Sequence, residues 1–378
     1  MSTGAAEARI SVTLAKLYRR FASESKRYLG YPNNLLLHNR SMARFLDFAI
    51  NNIGDPFVGN NGIHTCEFER KVLEYYAELL AIGREDFWGY VTTGGTEGNI
   101  FGLLAARNLL PHGLVYYSND SHYSIRKGLF LLKLEGVVVK SQKNGEMDYD
   151  DLEESLAARK GRAPIVVANI GTTMKGAIDD VARIARALDG CGAKKKSYIH
   201  CDGALMGAIL PYIADRPAAD FSLPISSISI SGHKFLGSPI PCGVVLARKE
   251  IVEHINGRVE YIGSFDNTIS GSRNGITALM MWKTIEEMGE EGFRAWAREC
   301  METKAYALGE LGRIGWPAWS NELSNTIVIR RPSEFLARKW HLAVLEDIAH
   351  IITMPGVSRE LIDSFVADLA ESRKNTSE

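Results

Sequence analysis

Three side chains in this sequence could do chemistry together if folding brought them to one place. Lys234 follows the apolar beat of "SISISGHKFLGSP", where a run carrying Ile228 and Ile230 passes into a cation between His233 and Phe235. A lysine held in a closed site loses solvation, which lowers its pKa and exposes a nucleophilic amine able to form a Schiff base. A surface lysine snorkelling after a strand is the plainer reading. Asp202 closes the run "YIHCD", where a carboxylate is costly to bury unless something cationic meets it. It suits a helix cap or the partner of a structural arginine, and equally the acid that keeps a pyridinium nitrogen protonated. Ala204, two residues on, is small enough for a flat ring to pack against it. His122, in "SNDSHYS", lies between a strand and a helix; it reads as a structural hydrogen-bonder or as the flat group on a planar cofactor's other face.

The Gly-rich "GGTEGN" adds a fourth feature. Gly94 and Gly95 allow close backbone approach, and the helix that follows opens with unpaired N–H groups and a positive dipole end, so the turn could cradle phosphate. A simple helix-capping turn remains the alternative, because the spacing is neither GxGxxG nor GxxxxGK[ST].

The elements that must position these groups are legible as alternation. The runs "WGYVTT", "LVYYS", "GVVVK", "PIVVANI", "YIHCD", "SISIS" and "GVVLA" read as strands buried on both faces. Helical patterns fill the gaps: "EGNIFGLLAARNLL", "YSIRKGLFLLKL", "DYDDLEESLAARK" and "DDVARIARAL". This predicts an α/β fold with an open, mostly parallel sheet over about residues 85–250. In such sheets ligands bind beyond the carboxyl ends of the strands. Five strand ends carry chemically loaded loops there, bringing Thr96, His122, Thr173, Asp202, His233 and Lys234 to one crevice. The last third has helical period from Thr277 to Gly312, then "TIVIRR", "AHIITM" and a closing helix from about Arg359, which predicts a smaller α+β domain.

Bulk properties exclude some partners. The 378 residues are 46% hydrophobic and 24% charged, with formal charge −1, so the chain has core to spare and lacks the positive field of a non-specific nucleic-acid binder. Small solutes are the expected partners. The five cysteines are scattered without CxxC or zinc spacing and read as reduced thiols, which points to the cytoplasm. No apolar run reaches the length of a spanning helix, and Glu7 speaks against a transit peptide.

Taken together, "GYVTTGGTEGNIFG", "NIGTTMKGAIDD", "YIHCDGAL", "SGHKFLGSPIPCG" and "TISGSRNG" resemble the short bacterial histidine decarboxylases and plant serine decarboxylases of the group II pyridoxal phosphate (PLP) decarboxylase family. The likeness runs from "LGYPNN" and "NNIGDPF" to "AHIITMPGV", nearly the whole chain. It implies the fold type I architecture of PLP-dependent transferases, with a seven-stranded mixed sheet. The expected divisions are an N-terminal helical segment (1–60), a large PLP-binding domain (61–275) and a small C-terminal domain (276–378). It also implies a homodimer with active sites at the interface. By motif, Lys234 would carry PLP, Asp202 would pair with the pyridine nitrogen, His122 would stack on the ring and Ala204 would pack on its opposite face. Gly94, Gly95, Thr96, Ser231 and His233 would surround the phosphate, with Thr173, or less directly Thr172, near the ring.

The expected reaction is decarboxylation of a free L-amino acid of the histidine or serine class to the amine and CO2. Two departures bear on it. "EYIGSFDNTISGSRNG" is shorter than the loop that carries a catalytic tyrosine in larger relatives, which makes Tyr261 the candidate proton donor. Ile276 stands where "SRNGH" would place histidine, so it either lies in the core or makes the pocket less polar and open to an aliphatic amino acid. The rival readings are an aminotransferase, for which Arg330 would have to clamp a carboxylate, and a non-catalytic phosphate-ligand binder.

Overall fold

The computed structural model describes residues 3–36, 39–58, 62–193, 196–252, 258–259 and 264–374. Helix α1 (Thr3–Glu24) leads through 3-10 turns to strand β1 (Asn51–Ile53) and helix α2 (Cys66–Leu79). The alternating region follows: β2 (Phe87–Thr92), α3 (Gly95–Leu109), β3 (Leu114–Ser118), α4 (Tyr123–Leu132), β4 (Gly136–Val139), α5 (Tyr149–Ala157), β5 (Pro164–Asn169), α6 (Val181–Gly190), β6 (Tyr198–Asp202), β7 (Ser227–Ser231) and β8 (Gly243–Arg248). All seven apolar runs are strands of one seven-stranded sheet, ordered β2-β8-β7-β6-β5-β3-β4. Only β8 runs against its neighbours; the other strands are parallel, which puts their carboxyl ends on one edge.

Residue alternation explains why this sheet separates two apolar layers. Val166, Ala168, Ile228 and Ile230 belong to the larger core cluster, while Ile165, Val167, Val245 and Ala247 belong to the other. One strand departs from the expected two-sided burial. β4 is one of the sheet's two edge strands, and its Val138 is 46% exposed. Local signals set the helix starts: the Asp148 side chain accepts from the N–H groups of Asp150 and Asp151, and that of Asp180 from Arg183.

Beyond the sheet come α7 (Lys249–Val252), β9 (Arg258–Val259), β10 (Ser264–Phe265), β11 (Ser272–Asn274) and α8 (Gly275–Arg313). α8 is two helical stretches joined at Gly289, whose φ of 57° breaks the helix. Strands β12 (Ala318–Trp319) and β13 (Thr326–Arg330), helix α9 (Glu334–Lys339), and strands β14 (Ala343–Leu345) and β15 (Ile348–Ile352) follow. The four strands form a second, antiparallel sheet in the order β12-β13-β15-β14, and helix α10 (Arg359–Lys374) closes the chain.

Candidate active site

The five loaded strand ends converge on one cavity of about 500 Å³. Gly95, Thr96, His122, Thr173, Asp202, Ala204, Ser231, His233 and Lys234 all line it. Gly94 does not. It is the N-cap of α3, with φ 143°, a conformation that side-chain-bearing residues rarely adopt. Thr172 also stays out of the lining; its hydroxyl accepts the N–H of Ala177 and stabilises the turn beneath Thr173. Tyr261 lies outside the described residues.

Asp202 is 6% exposed, and its two carboxylate oxygens accept from Asn99 Nδ2 at 2.8 Å and from the N–H of Ala204 at 3.2 Å. Among the described residues no lysine, arginine or histidine forms an ion pair with it. A buried carboxylate with neutral donors alone calls for a cation in the cavity it faces. A protonated ring nitrogen supplies one.

Lys234 sits in a loop held from two sides. Gly232 N–H donates to the carbonyl of Cys242 at 2.8 Å, and Asn34 N–H donates to the carbonyl of Lys234 itself at 3.2 Å. Burial lowers the Lys234 ammonium's pKa, and the Asp202 carboxylate works against that shift. His233 Nδ1 lies 2.8 Å from the Cys242 carbonyl and 3.3 Å from the Cys242 N–H, which ties the ring to the strand that follows the lysine loop. Burial lowers the pKa of His233, and the nearby Lys234 charge lowers it further.

The end of the cavity at the start of α3 is shaped by small groups. A Cβ on Gly95 would come within 2.9 Å of both Ala204 Cβ and Ser231 Oγ, filling the space at the start of α3. The Glu97 carboxylate turns away, accepting from Tyr90 Oη at 3.0 Å and from Thr93 N–H at 2.8 Å. The first N–H groups of α3 have no intrahelical acceptor and suit an anion. A buried carboxylate, a desolvated lysine and a helix start without side-chain bulk are the three sockets that PLP needs. The residues present fit the group.

Sequence reasoning missed part of this cavity. Tyr28, just before "LGYPNN", and Tyr31 and Asn33 within it line the cavity, with His350 and Ile352 from β15. His350 is buried with both ring nitrogens facing backbone carbonyls, Met174 at 3.2 Å and Gly30 at 3.0 Å. Its ring lies between three distant segments. "LGYPNN" and "AHIITM" were legible as motifs, but nothing in their spacing says that they meet.

Two open alternatives are decided by position, Arg330 as a solvated strand end and Ile276 as a packed side chain. Arg330 cannot clamp a substrate carboxylate, because it is exposed at the end of β13 with its guanidinium over the Trp316 ring at 5.3 Å; no arginine is among the described residues lining the cavity. Ile276 packs beside Met42, Leu279 and Met280 rather than in this chain's cavity, so its side chain does not make that wall apolar.

Fold and site together define a PLP-dependent enzyme of the fold type I class. A model of the pyridoxal-dependent decarboxylase conserved domain matches residues 41–313, and the chain belongs to that family. Serine decarboxylase 2 of Oryza sativa subsp. japonica is 42% identical over 377 residues, covering 99% of this chain and 81% of that protein. Histidine decarboxylase of Morganella morganii is 44% identical over 347 residues, 90% of this chain and 92% of that one. Among solved structures, the L-methionine decarboxylase from Streptomyces sp. 590 in complex with L-methionine methyl ester aligns with a TM-score of 0.89 at 27% identity, over 96% of this chain and 95% of that one. The protein is a PLP-dependent amino-acid decarboxylase, and nothing supports the aminotransferase or the non-catalytic reading.

Proposed function

We propose that the substrate is a free L-amino acid of the histidine or serine class, decarboxylated in the cavity between Asp202 and Lys234. The observation that carries the site assignment is the buried Asp202 carboxylate, which accepts from neutral donors and forms no close ion pair among the described residues, in the same cavity as the desolvated Lys234. PLP, when bound, supplies an electron sink for the pair left behind as CO2 departs. Lys234 would hold it through its amine. Asp202 would keep the ring nitrogen protonated, and the start of α3 with Ser231 and His233 would hold the phosphate. His122 and Ala204 would flank the ring.

The substrate class rests on the relatives at 42–44% identity. The wall formed by residues 28–33 supports a polar side chain, since Tyr28 and Asn33 bring polar groups there. The test offers serine, histidine, leucine, valine and methionine without any keto acid and quantifies both amine and CO2. Serine or histidine should be preferred. Preferred turnover of methionine or leucine would overturn the polar assignment and leave the site intact.

The same reading includes a homodimer with shared active sites, in the cytoplasm. α1 supports the second copy by exposing Ile10, Val12, Leu14, Tyr18 and Phe21, a large apolar area for a helix in water. Among the described residues no helix is long and apolar enough to cross a membrane.

A further inference from the structure

Strand β6 places Tyr198, His200 and Asp202 on one face, because strand side chains alternate. Helix α3 crosses that face, and Gly102 is what lets it come so close: a Cβ there would collide with the His200 ring. One turn earlier Asn99, 1% exposed, reaches down between His200 and Asp202. Its carbonyl Oδ1 lies 3.0 Å from His200 Nε2, and its Nδ2 lies 2.8 Å from Asp202 Oδ2 and 2.9 Å from Ser124 Oγ.

We infer that Asn99 is a positioning residue that fixes the orientation of the Asp202 carboxylate and the tautomer of His122, through one continuous chain of hydrogen bonds. The directions are anchored at Asp202: its carboxylate accepts from Asn99 Nδ2, so Asn99 turns its carbonyl Oδ1 to His200 Nε2, which must donate and leaves Nδ1 to accept. Tyr198 Oη donates to Ser227 Oγ at 2.8 Å, and Ser227 Oγ donates in turn to His200 Nδ1 at 2.8 Å. The register supplies this contact, since Ser227 is the β7 partner of His200. With Nδ1 accepting, the His200 proton is on Nε2 and points at Asn99 Oδ1. The two N–H bonds of the Asn99 amide reach Asp202 Oδ2 and Ser124 Oγ. The Ser124 hydroxyl, already accepting, donates to His122 Nδ1 at 2.8 Å, and the Ser124 backbone N–H points at the same nitrogen at 3.3 Å.

Two consequences reach the cavity. Asp202 Oδ2 receives the Asn99 N–H, so that oxygen is occupied as an acceptor and the carboxylate is held in one orientation. His122 Nδ1 receives two donors, so its proton is on Nε2. The environment agrees: burial lowers the pKa of both histidines, that of His200 to about 4, so both stay neutral and tautomer, rather than charge, is what the chain sets. A single amide therefore prepares the carboxylate and the imidazole that would meet opposite parts of one flat cofactor. The inference rests on the placement of that cofactor only in assigning those two groups their use.

The experiment uses full-length protein labelled with 15N-histidine, cofactor-free and with PLP, and reads by NMR which nitrogen of His122 is protonated; His122→Gln assigns the signal. Wild type should show the Nε2–H form alone. Ser124→Ala removes the closer of the two donors and keeps only the backbone N–H at 3.3 Å, so the Nδ1–H form should appear beside the Nε2–H form at His122, and Ser124→Thr, which restores the hydroxyl, should restore a single tautomer. Because Asp202 keeps its donor in Ser124→Ala, PLP affinity should change less than about threefold. Asn99→Asp keeps the shape and reverses the polarity, setting a second carboxylate against Asp202, and should weaken PLP binding by at least about tenfold. An unchanged His122 tautomer in Ser124→Ala would overturn the inference, as would wild-type PLP affinity in a folded Asn99→Asp. If Asn99→Asp does not fold, the Ser124 pair still decides, since its readout needs neither cofactor nor turnover. Failure of Lys234 to carry PLP would instead sink the functional reading, and the tautomer in cofactor-free protein would be untouched by it.

Discussion

The backbone N–H of Asn34 donates to the carbonyl of Lys234 at 3.2 Å, and the same residue's side-chain Nδ2 donates to the next carbonyl, Phe235, at 2.8 Å. Its Oδ1 meanwhile accepts the N–H of Leu36 at 2.7 Å. The N-terminal segment thus grips the lysine loop at Lys234 and Phe235. Asn34→Ala would leave a buried carbonyl and an N–H without partners, at a cost of about 1–3 kcal/mol. The expected outcome is a lower denaturation midpoint and faster PLP loss on dialysis, with the absorbance of bound cofactor unshifted. Wild-type stability in that variant would show the grip to be incidental.

Lys234 should be the residue that carries PLP. Borohydride reduction followed by peptide mapping should place the label in the peptide spanning "SGHKFLGSP". Lys234→Ala should lose essentially all turnover while the cofactor-free protein melts close to wild type. A label on another lysine would remove Lys234 from the mechanism.

Asp202→Asn should still bind PLP and lose most activity. A charged hydrogen bond contributes about 1.5–3 kcal/mol, so kcat should fall by roughly 10- to 150-fold from this interaction alone. Near-normal decarboxylation would mean that Asp202 only caps the turn through the Ala204 N–H.

Stability should decline on mild acidification through the buried His200. Burial lowers its pKa to about 4, against 6.5 for an ordinary histidine. Between those values the unfolded chain binds the proton that the folded one refuses, so this contribution is complete above about pH 6.5 and is lost as pH falls toward 4. The full span is about 3 kcal/mol. Denaturant midpoints measured from pH 7.5 to 4.5 should fall more steeply for wild type than for His200→Gln. Parallel slopes would argue that His200 is protonated in the fold.

Gly102→Ala separates helix propensity from packing. Alanine favours a helix interior by about 1 kcal/mol, whereas overpacking a tight contact costs about 1–3 kcal/mol. The collision with His200 should win, giving a less stable protein with weaker PLP binding. A stabilised variant would show that the His200 ring can move aside without loss.

What the sequence determined by itself was the sheet and the chemistry at its edge. Seven apolar runs became seven strands because a strand buried on both faces has no choice but to be apolar, and β4, an edge strand, deviated in burial. Lys234, Asp202 and His122 were legible for the converse reason: polar groups at the ends of apolar runs are costly unless used. The tertiary structure decided what those groups touch. Asn99 reads as one more polar residue of a helix until α3 lies across β6, and its partner Asp202 is 103 residues away. His350 reads as a strand histidine until its ring bridges Gly30, 320 residues back, and Met174. Helix and strand periods are local and survive in the order of residues. The proton arrangement at the site is set by contacts between segments whose separation in the chain carries no trace of their meeting.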